Sequence, residues 1–181
     1  ALCCSELELL GVTTVYKNVH QRSLIAKKEL ALAGFAAIPV IAGSDAPLVE
    51  SVQPFSYEKK NGRTINLLSY EPSLEKYRYE KGEAVDFILN VAARYPNEVT
   101  VVGIGPLTNL AKAYQKDPQR FLLLKKAVLM NGNPHGGKEW NVMVDPEAAS
   151  LVYHSGIPID SVGVDITMQA TLSSDELTTL E

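Results

Sequence analysis

The chain has 181 residues, of which 46% are hydrophobic and 21% charged, and its formal net charge is −4. That size and composition give a single domain with a real core as the expectation. Basic and acidic residues are interspersed, which argues against nucleic acid as the main partner, and no apolar run nears the roughly 20 residues that cross a bilayer. No charged segment followed by an apolar one marks a secretory signal, so a cytoplasmic location is expected. Cys3 and Cys4 are adjacent. Neighbours in sequence rarely pair and two thiols make no zinc site, so both are expected to be small buried residues.

In chain order, Leu7 to Tyr16 is rich in β-branched and apolar residues and predicts a strand. Val19 to Ala33 has helical spacing and stops at Gly34. Ile38 to Ala42 is a second strand, with Gly43-Ser44-Asp45 as its exit. Residues 46 to 78 hold Pro47, Pro54 and Pro72 with Asn61-Gly62 and keep no period, so they form either a flap over a site or an inert insertion. Gly82 to Tyr95 is an amphipathic helix. Val99 to Ile104 is a continuous apolar run, the pattern of a strand buried on both faces. Leu107 to Gln115 is a helix, and Leu122 to Lys126 a further helical turn or two.

Ala127 to Met130 is a short buried strand that empties into a polar, glycine-rich loop with Asn131, Asn133, His135, Glu139 and Asn141. Asp145-Pro146-Glu147 then opens a helix to His154, with proline at its favoured first position and acids in the first turn. Ile157 to Ile166 is the last strand, with Asp165 near its end.

Alternation of this kind predicts an α/β fold: a mainly parallel sheet with helices on both faces, Rossmann-like in layout. Parallel strands bring their carboxyl ends to one edge. Asn18, Asp45, Ile104 with Gly105, Asn131 with Asn133, and Asp165 should therefore meet on one rim, where such folds bind small molecules. No G-x-G-x-x-G follows any strand, and GIGPLTN turns at a proline where that motif needs a helix start, so a dinucleotide site is disfavoured.

Six pieces in order, GVTTVYKNV, IPVIAGSDAPL, VVGIGPLTNLA, AVLMNG, EWNVMVDPEAA and IPIDSVGVDITMQA, give a resemblance to the inosine-uridine-type nucleoside hydrolases along most of residues 6 to 170. GPLTNLA and the pairing of Glu-aromatic-Asn with DPEAA are the specific ones. The resemblance implies hydrolysis of the N-glycosidic bond of ribonucleosides with a bound Ca2+, in a homodimer or homotetramer. By position, Asn18 reaches the ribose side, the backbone carbonyl of Ile104 ligates calcium and Met130 lines the pocket. Glu139 and Asn141 hold ribose hydroxyls. Trp140 takes an aromatic position, as a stacking partner for the base or as a core anchor. The loop before Glu139 is shorter than the family's, so the second ribose-side asparagine is Asn133 or, failing that, Asn131. His135 is either a surface residue or an acid near the leaving base, and His20 and His154 read as structural.

The family's aspartate cluster, which supplies calcium ligands and the base that activates water, has no counterpart in residues 1 to 181, nor has its later His-Asp motif. The chain starts without Met, and Ser173 to Glu181 opens a helix and stops. The expectation is a single α/β domain, 1–181, that is a piece of a longer chain. It would lack the first strand and leave unpaired groups inside the sheet. The rival expectation is a non-catalytic descendant that keeps ribose binding without the metal.

Overall fold

The structure, a computed structural model, describes residues 4–49, 72–171 and 173. Most of the segment between residues 46 and 78 therefore lies outside the described residues, and the alternatives of flap and insertion are not decided by it. Within the described residues the strands are β1 (Val12–Thr13), β2 (Val40–Ile41), β3 (Thr100–Gly103), β4 (Lys126–Met130) and β5 (Ile159–Val162). The α-helices are α1 (Val19–Leu32), α2 (Ala84–Arg94), α3 (Thr108–Lys116), α4 (Pro118–Phe121), α5 (Trp140–Val144), α6 (Pro146–Tyr153) and α7 (Val164–Thr167), with a 3-10 turn at Pro72–Lys76. No described helix is long and apolar enough to cross a membrane.

Every strand pair is parallel, as the β-α alternation requires. The strands form two sheets rather than one: β1 beside β2, and β3-β4-β5 with β4 central. Among the described strands only β4 has a strand neighbour on both sides. The register of the larger sheet runs Val101 to Ala127 to Ile159 and Gly103 to Leu129 to Ser161. Ala127 and Leu129 point from β4 into the core, among Ile88, Leu89 and Ala92 of α2, Leu110 and Ala113 of α3, Phe121 of α4, and Ala149 and Val152 of α6.

Several sequence expectations need correction. The run Val99 to Ile104 is not buried on both faces. Val102 is 66% and Ile104 71% exposed, because the alternate residues Val101 and Gly103 take the core side and β3 is an edge strand. The helical turn expected at Leu122 to Lys126 lies earlier, at Pro118–Phe121, where Asp117 accepts from the Arg120 N–H as a cap. Ile157 to Ile166 divides into β5 and α7, so Asp165 stands on a helical turn and not at a strand end. Cys4 is exposed and free.

The small sheet is tied down by two polar side chains. Glu80 accepts from the Val40 N–H at 2.6 Å and from Lys27 Nζ of α1 at 2.8 Å. Burial pushes the Glu80 carboxyl up, but the Lys27 and Val40 hydrogen bonds outweigh it and hold its pKa below the ordinary value of 4.5. A carboxyl lowered on folding stabilises the fold above its unfolded pKa, and that contribution is lost as pH falls through the lowered value. Replacing Glu80 by Gln should therefore flatten the acid limb of stability below pH 4.5, read by urea unfolding at stepped pH.

Asn109 of α3 is the second tie. Its Nδ2 donates to the Thr14 carbonyl at 2.9 Å, and its Oδ1 accepts from the Ser44 N–H at 2.9 Å. It thus satisfies the exits of β1 and β2 from a helix of the larger sheet. Gly43 sits against this contact: a Cβ there would run into the Thr14 carbonyl and the Asn109 amide. A Gly43→Ala variant is expected to lose about 1–3 kcal/mol by overpacking. An unchanged melting temperature would contradict that close approach.

Candidate functional site

The site is built on the exit of β4. Glu139 is extended, with φ −115° and ψ 140°, and caps α5. Its Oε1 accepts from the Asn141 N–H at 2.8 Å, and its Oε2 accepts from the N–H groups of Val142 at 3.0 Å and Gly132 at 3.1 Å. Two of these donors are the orphan amides of a helix start, where a carboxylate is favoured. The third, Gly132, belongs to the strand exit. One side chain therefore fixes both ends of the loop 132–139. Trp140 and Asn141, expected in that loop, instead form the first turn of α5. The capping power of Glu139 was the signal for this in the sequence.

Asn141 is buried and faces back to the sheet. Its Nδ2 donates to the Met130 carbonyl at 2.9 Å and lies 3.5 Å from the Ile104 carbonyl. The exits of β3 and β4 are thus held by one amide. With both Nδ2 hydrogens turned inward, Oδ1 is the atom that Asn141 can offer to a ligand. The carboxylate of Glu139 accepts three hydrogen bonds of the roughly four its lone pairs can take. Both residues therefore present acceptors, the complement of hydroxyl donors.

The two candidate asparagines differ. Asn133 Oδ1 accepts from the His135 N–H at 3.1 Å, a bond within the loop. Asn131 is 2% exposed, and neither atom of its side-chain amide has a partner among the described residues, although its backbone N–H donates to the Val162 carbonyl and its carbonyl accepts from Ser161 Oγ. His135 is largely exposed and lies 4.0 Å from Asp165 through its Nε2. His20 meets Tyr79 OH at 2.9 Å and His154 meets the Ser150 carbonyl at 2.8 Å, both structural contacts. Trp140 is half-buried.

Asn18 lies at the exit of β1, exposed, and its side chain caps nothing at the start of α1. Asp45 joins it: the Val19 N–H donates to Asp45 Oδ1 at 3.1 Å. Ile104, Met130, Glu139 and Asn141 form one hydrogen-bonded cluster, while Asp45 holds the Lys17 and Val19 amides on either side of Asn18. Asn109 of α3 ties the exits of β1 and β2 to the larger unit, and Gly105 lies so close to Val15 that a Cβ added at Gly105 would stand 3.3 Å from Val15 Cγ1.

Sequence reasoning missed the reach of Asp145. It was expected to cap a helix, and its Oδ1 does accept from the Ala148 N–H at 3.0 Å. Its Oδ2 also accepts from Thr108 Oγ1 at 2.5 Å and from the Leu48 N–H at 2.9 Å. Asp145 is fully buried, and this network fixes α6 to α3 behind the site. Threonine in GPLTNLA was the available signal, a hydroxyl on the buried side of a short helix.

The chain matches the family model described as inosine-uridine preferring nucleoside hydrolase over residues 1–181. It belongs to that family. It is 37% identical to Uridine nucleosidase 1 of Arabidopsis thaliana over 183 residues, covering 95% of this chain and 53% of the relative. It is 35% identical to an inosine-uridine preferring nucleoside hydrolase of Leishmania major, covering 91% of this chain and 54% of the relative. Among solved structures it resembles a purine-preferring ribonucleoside hydrolase from Gardnerella vaginalis, with a TM-score of 0.78 at 28% identity over 98% of this chain and 59% of that one. A plant nucleoside hydrolase gives 0.76 at 28% identity over 99% of this chain and 58% of that one. The chain thus spans between 53% and 59% of the length of these four proteins.

A calcium ion takes six to eight oxygen ligands. Among the described residues no three His, Cys, Asp or Glu side chains come together. The rim offers the Ile104 carbonyl, an oxygen of the right kind, already near Asn141 Nδ2. The described residues fit one position of a calcium shell and do not make the site.

Proposed function

We propose that the full-length protein hydrolyses ribonucleosides to free base and ribose, and that this chain supplies the ribose-gripping rim. The observation that carries the reading is the Glu139–Asn141 pair. Both are locked to the β4 exit by hydrogen bonds, and both are left with acceptor capacity for sugar hydroxyls. A rigid rim of acceptors binds a polyol with little reorganisation. Glycosidic cleavage builds positive charge on the sugar ring, and a carboxylate beside that ring lowers its energy. In this reading Met130 lines the pocket, Asn18 approaches the ribose from the β1 side, and Asn133 gives up its loop bond to reach it. Trp140 stacks on the base. Ca2+ would be held in part by the Ile104 carbonyl, with its other oxygens coming from outside the described residues.

The rival reading is a protein that binds ribose without cleaving the nucleoside. The test compares base release from inosine and uridine with release from analogues that each lack one ribose hydroxyl. The expected result is turnover of the ribonucleosides and a loss of at least about 100-fold for at least one analogue, because a site built to bond a hydroxyl rejects its absence. Equal rates for all analogues would remove the ribose rim. Binding of the nucleosides without any release would favour the rival.

A further inference from the structure

Tyr16, Lys17 and Asn18 have φ of 65°, 42° and 52°, three consecutive non-glycine residues in the left-handed region. L-residues visit that region singly and at a cost, so such a run persists only where the surroundings over-determine it. Here they do. The Tyr16 N–H donates to the Ser44 carbonyl at 2.7 Å, and the Lys17 N–H to the Asp45 carbonyl at 2.9 Å. Arg22, one turn into α1, reaches back with Nε to the carbonyls of Tyr16 at 2.9 Å and Lys17 at 3.0 Å. The Asp45 carboxylate takes the Val19 N–H, the first orphan amide of α1. The Asn18 side chain makes no cap bond to the next turn, where an ordinary N-cap asparagine would spend its oxygen, so its amide stays uncommitted.

We propose that Arg22 and Asp45 are positioning residues for Asn18. Arg22 clamps the carbonyls of the left-handed bend, and Asp45 holds the first amide of α1 beside Asn18. Together they aim an uncommitted amide from the β1 exit toward the substrate. The inference rests on the proposed function, in which Asn18 meets the ribose. Strain stored in the bend is the means: without the clamp, residues 16–18 relax toward ordinary φ values and the amide turns away.

The test is a set of variants of the full-length protein, with kcat and KM measured for inosine and folding followed by melting temperature. Arg22→Gln and Asp45→Ala are each expected to lower kcat/KM by about 10-fold or more, the scale of an ångström's misplacement. Asp45→Asn, which keeps an oxygen for the Val19 N–H, should lose less. Lys17→Gly should leave the wild-type rate unchanged and restore most of the activity of Arg22→Gln, because glycine holds a positive φ without a clamp. Arg22→Gln should cost nothing further in an Asn18→Ala background, since coupled residues are not additive. An equal loss with and without Asn18, or no rescue by Lys17→Gly, would show a merely structural arginine and overturn the inference. If Asn18→Ala alone has no effect, the role of Asn18 fails and the inference with it. If the wild-type protein releases no base, the proposed function fails instead, and the same variant cycle read on inosine affinity decides the inference.

Discussion

Replacing Asp145 by alanine is expected to cost the full-length protein about 3 kcal/mol or more, because each hydrogen bond to a charged group contributes about 1.5–3 kcal/mol. The carboxylate takes Thr108 Oγ1, the Leu48 N–H and the Ala148 N–H with no access to water. Alanine leaves the two backbone donors without a partner. The Thr108 hydroxyl can turn, but the amides of Leu48 and Ala148 cannot. Asparagine at 145 should restore about half of the loss. Its oxygen can keep the Ala148 cap, while its NH2 then faces the Leu48 N–H, donor to donor. Urea unfolding read by circular dichroism checks both. An alanine variant within about 1 kcal/mol of wild type would mean that the network carries no more than one ordinary bond.

The second large effect is on activity. Glu139→Ala is expected to lower kcat/KM for ribonucleosides by at least about 100-fold, the scale of losing one preorganised electrostatic contact. Glu139→Gln tests the charge and the cap together. A carboxylate accepts at both oxygens, and here both are in use toward N–H groups. An amide accepts at one end only. Glutamine must therefore direct its NH2 at the Asn141 N–H or at the pair from Gly132 and Val142, so the loop 132–139 loosens as well. Rate losses of similar size for Gln and Ala, with a stability loss of about 1–3 kcal/mol in each, are the expected outcome. Full activity in Glu139→Gln would show that neither the charge nor the cap matters to the site.

Local physics explains which parts of this molecule were legible in its residues. Helix α1 ends where Gly34 takes φ 84°, and α6 begins at the Asp145-Pro146 pair that the residues announce. β-α alternation gave parallel pairing, and the polar loop after Met130 was legible from the glycines, amides and carboxylates that follow the strand. The misses share a cause. β1 and β2 are two residues each, not the longer runs their composition suggests, because strand length is set by the partner and not by propensity. Val102 and Ile104 are apolar yet exposed: an apolar side chain records a preference for cover without saying what covers it. Asn109 lies within a short helix and gives no local hint that it bridges residues 14 and 44, a contact that exists only once both sheets are placed. The left-handed run at residues 16–18 contains no glycine to mark it, so it was invisible in the residues and is held by Arg22 and Asp45 from elsewhere.

The central claim is that this rim serves calcium-assisted cleavage of a nucleoside. The most direct measurement is the amount of free base and of reducing sugar released from inosine by the full-length protein, first with calcium and then with a chelator. The account predicts base and ribose in equal amounts with calcium and neither after chelation, with activity restored when calcium is returned. Release of base without ribose, or hydrolysis indifferent to the chelator, would contradict it.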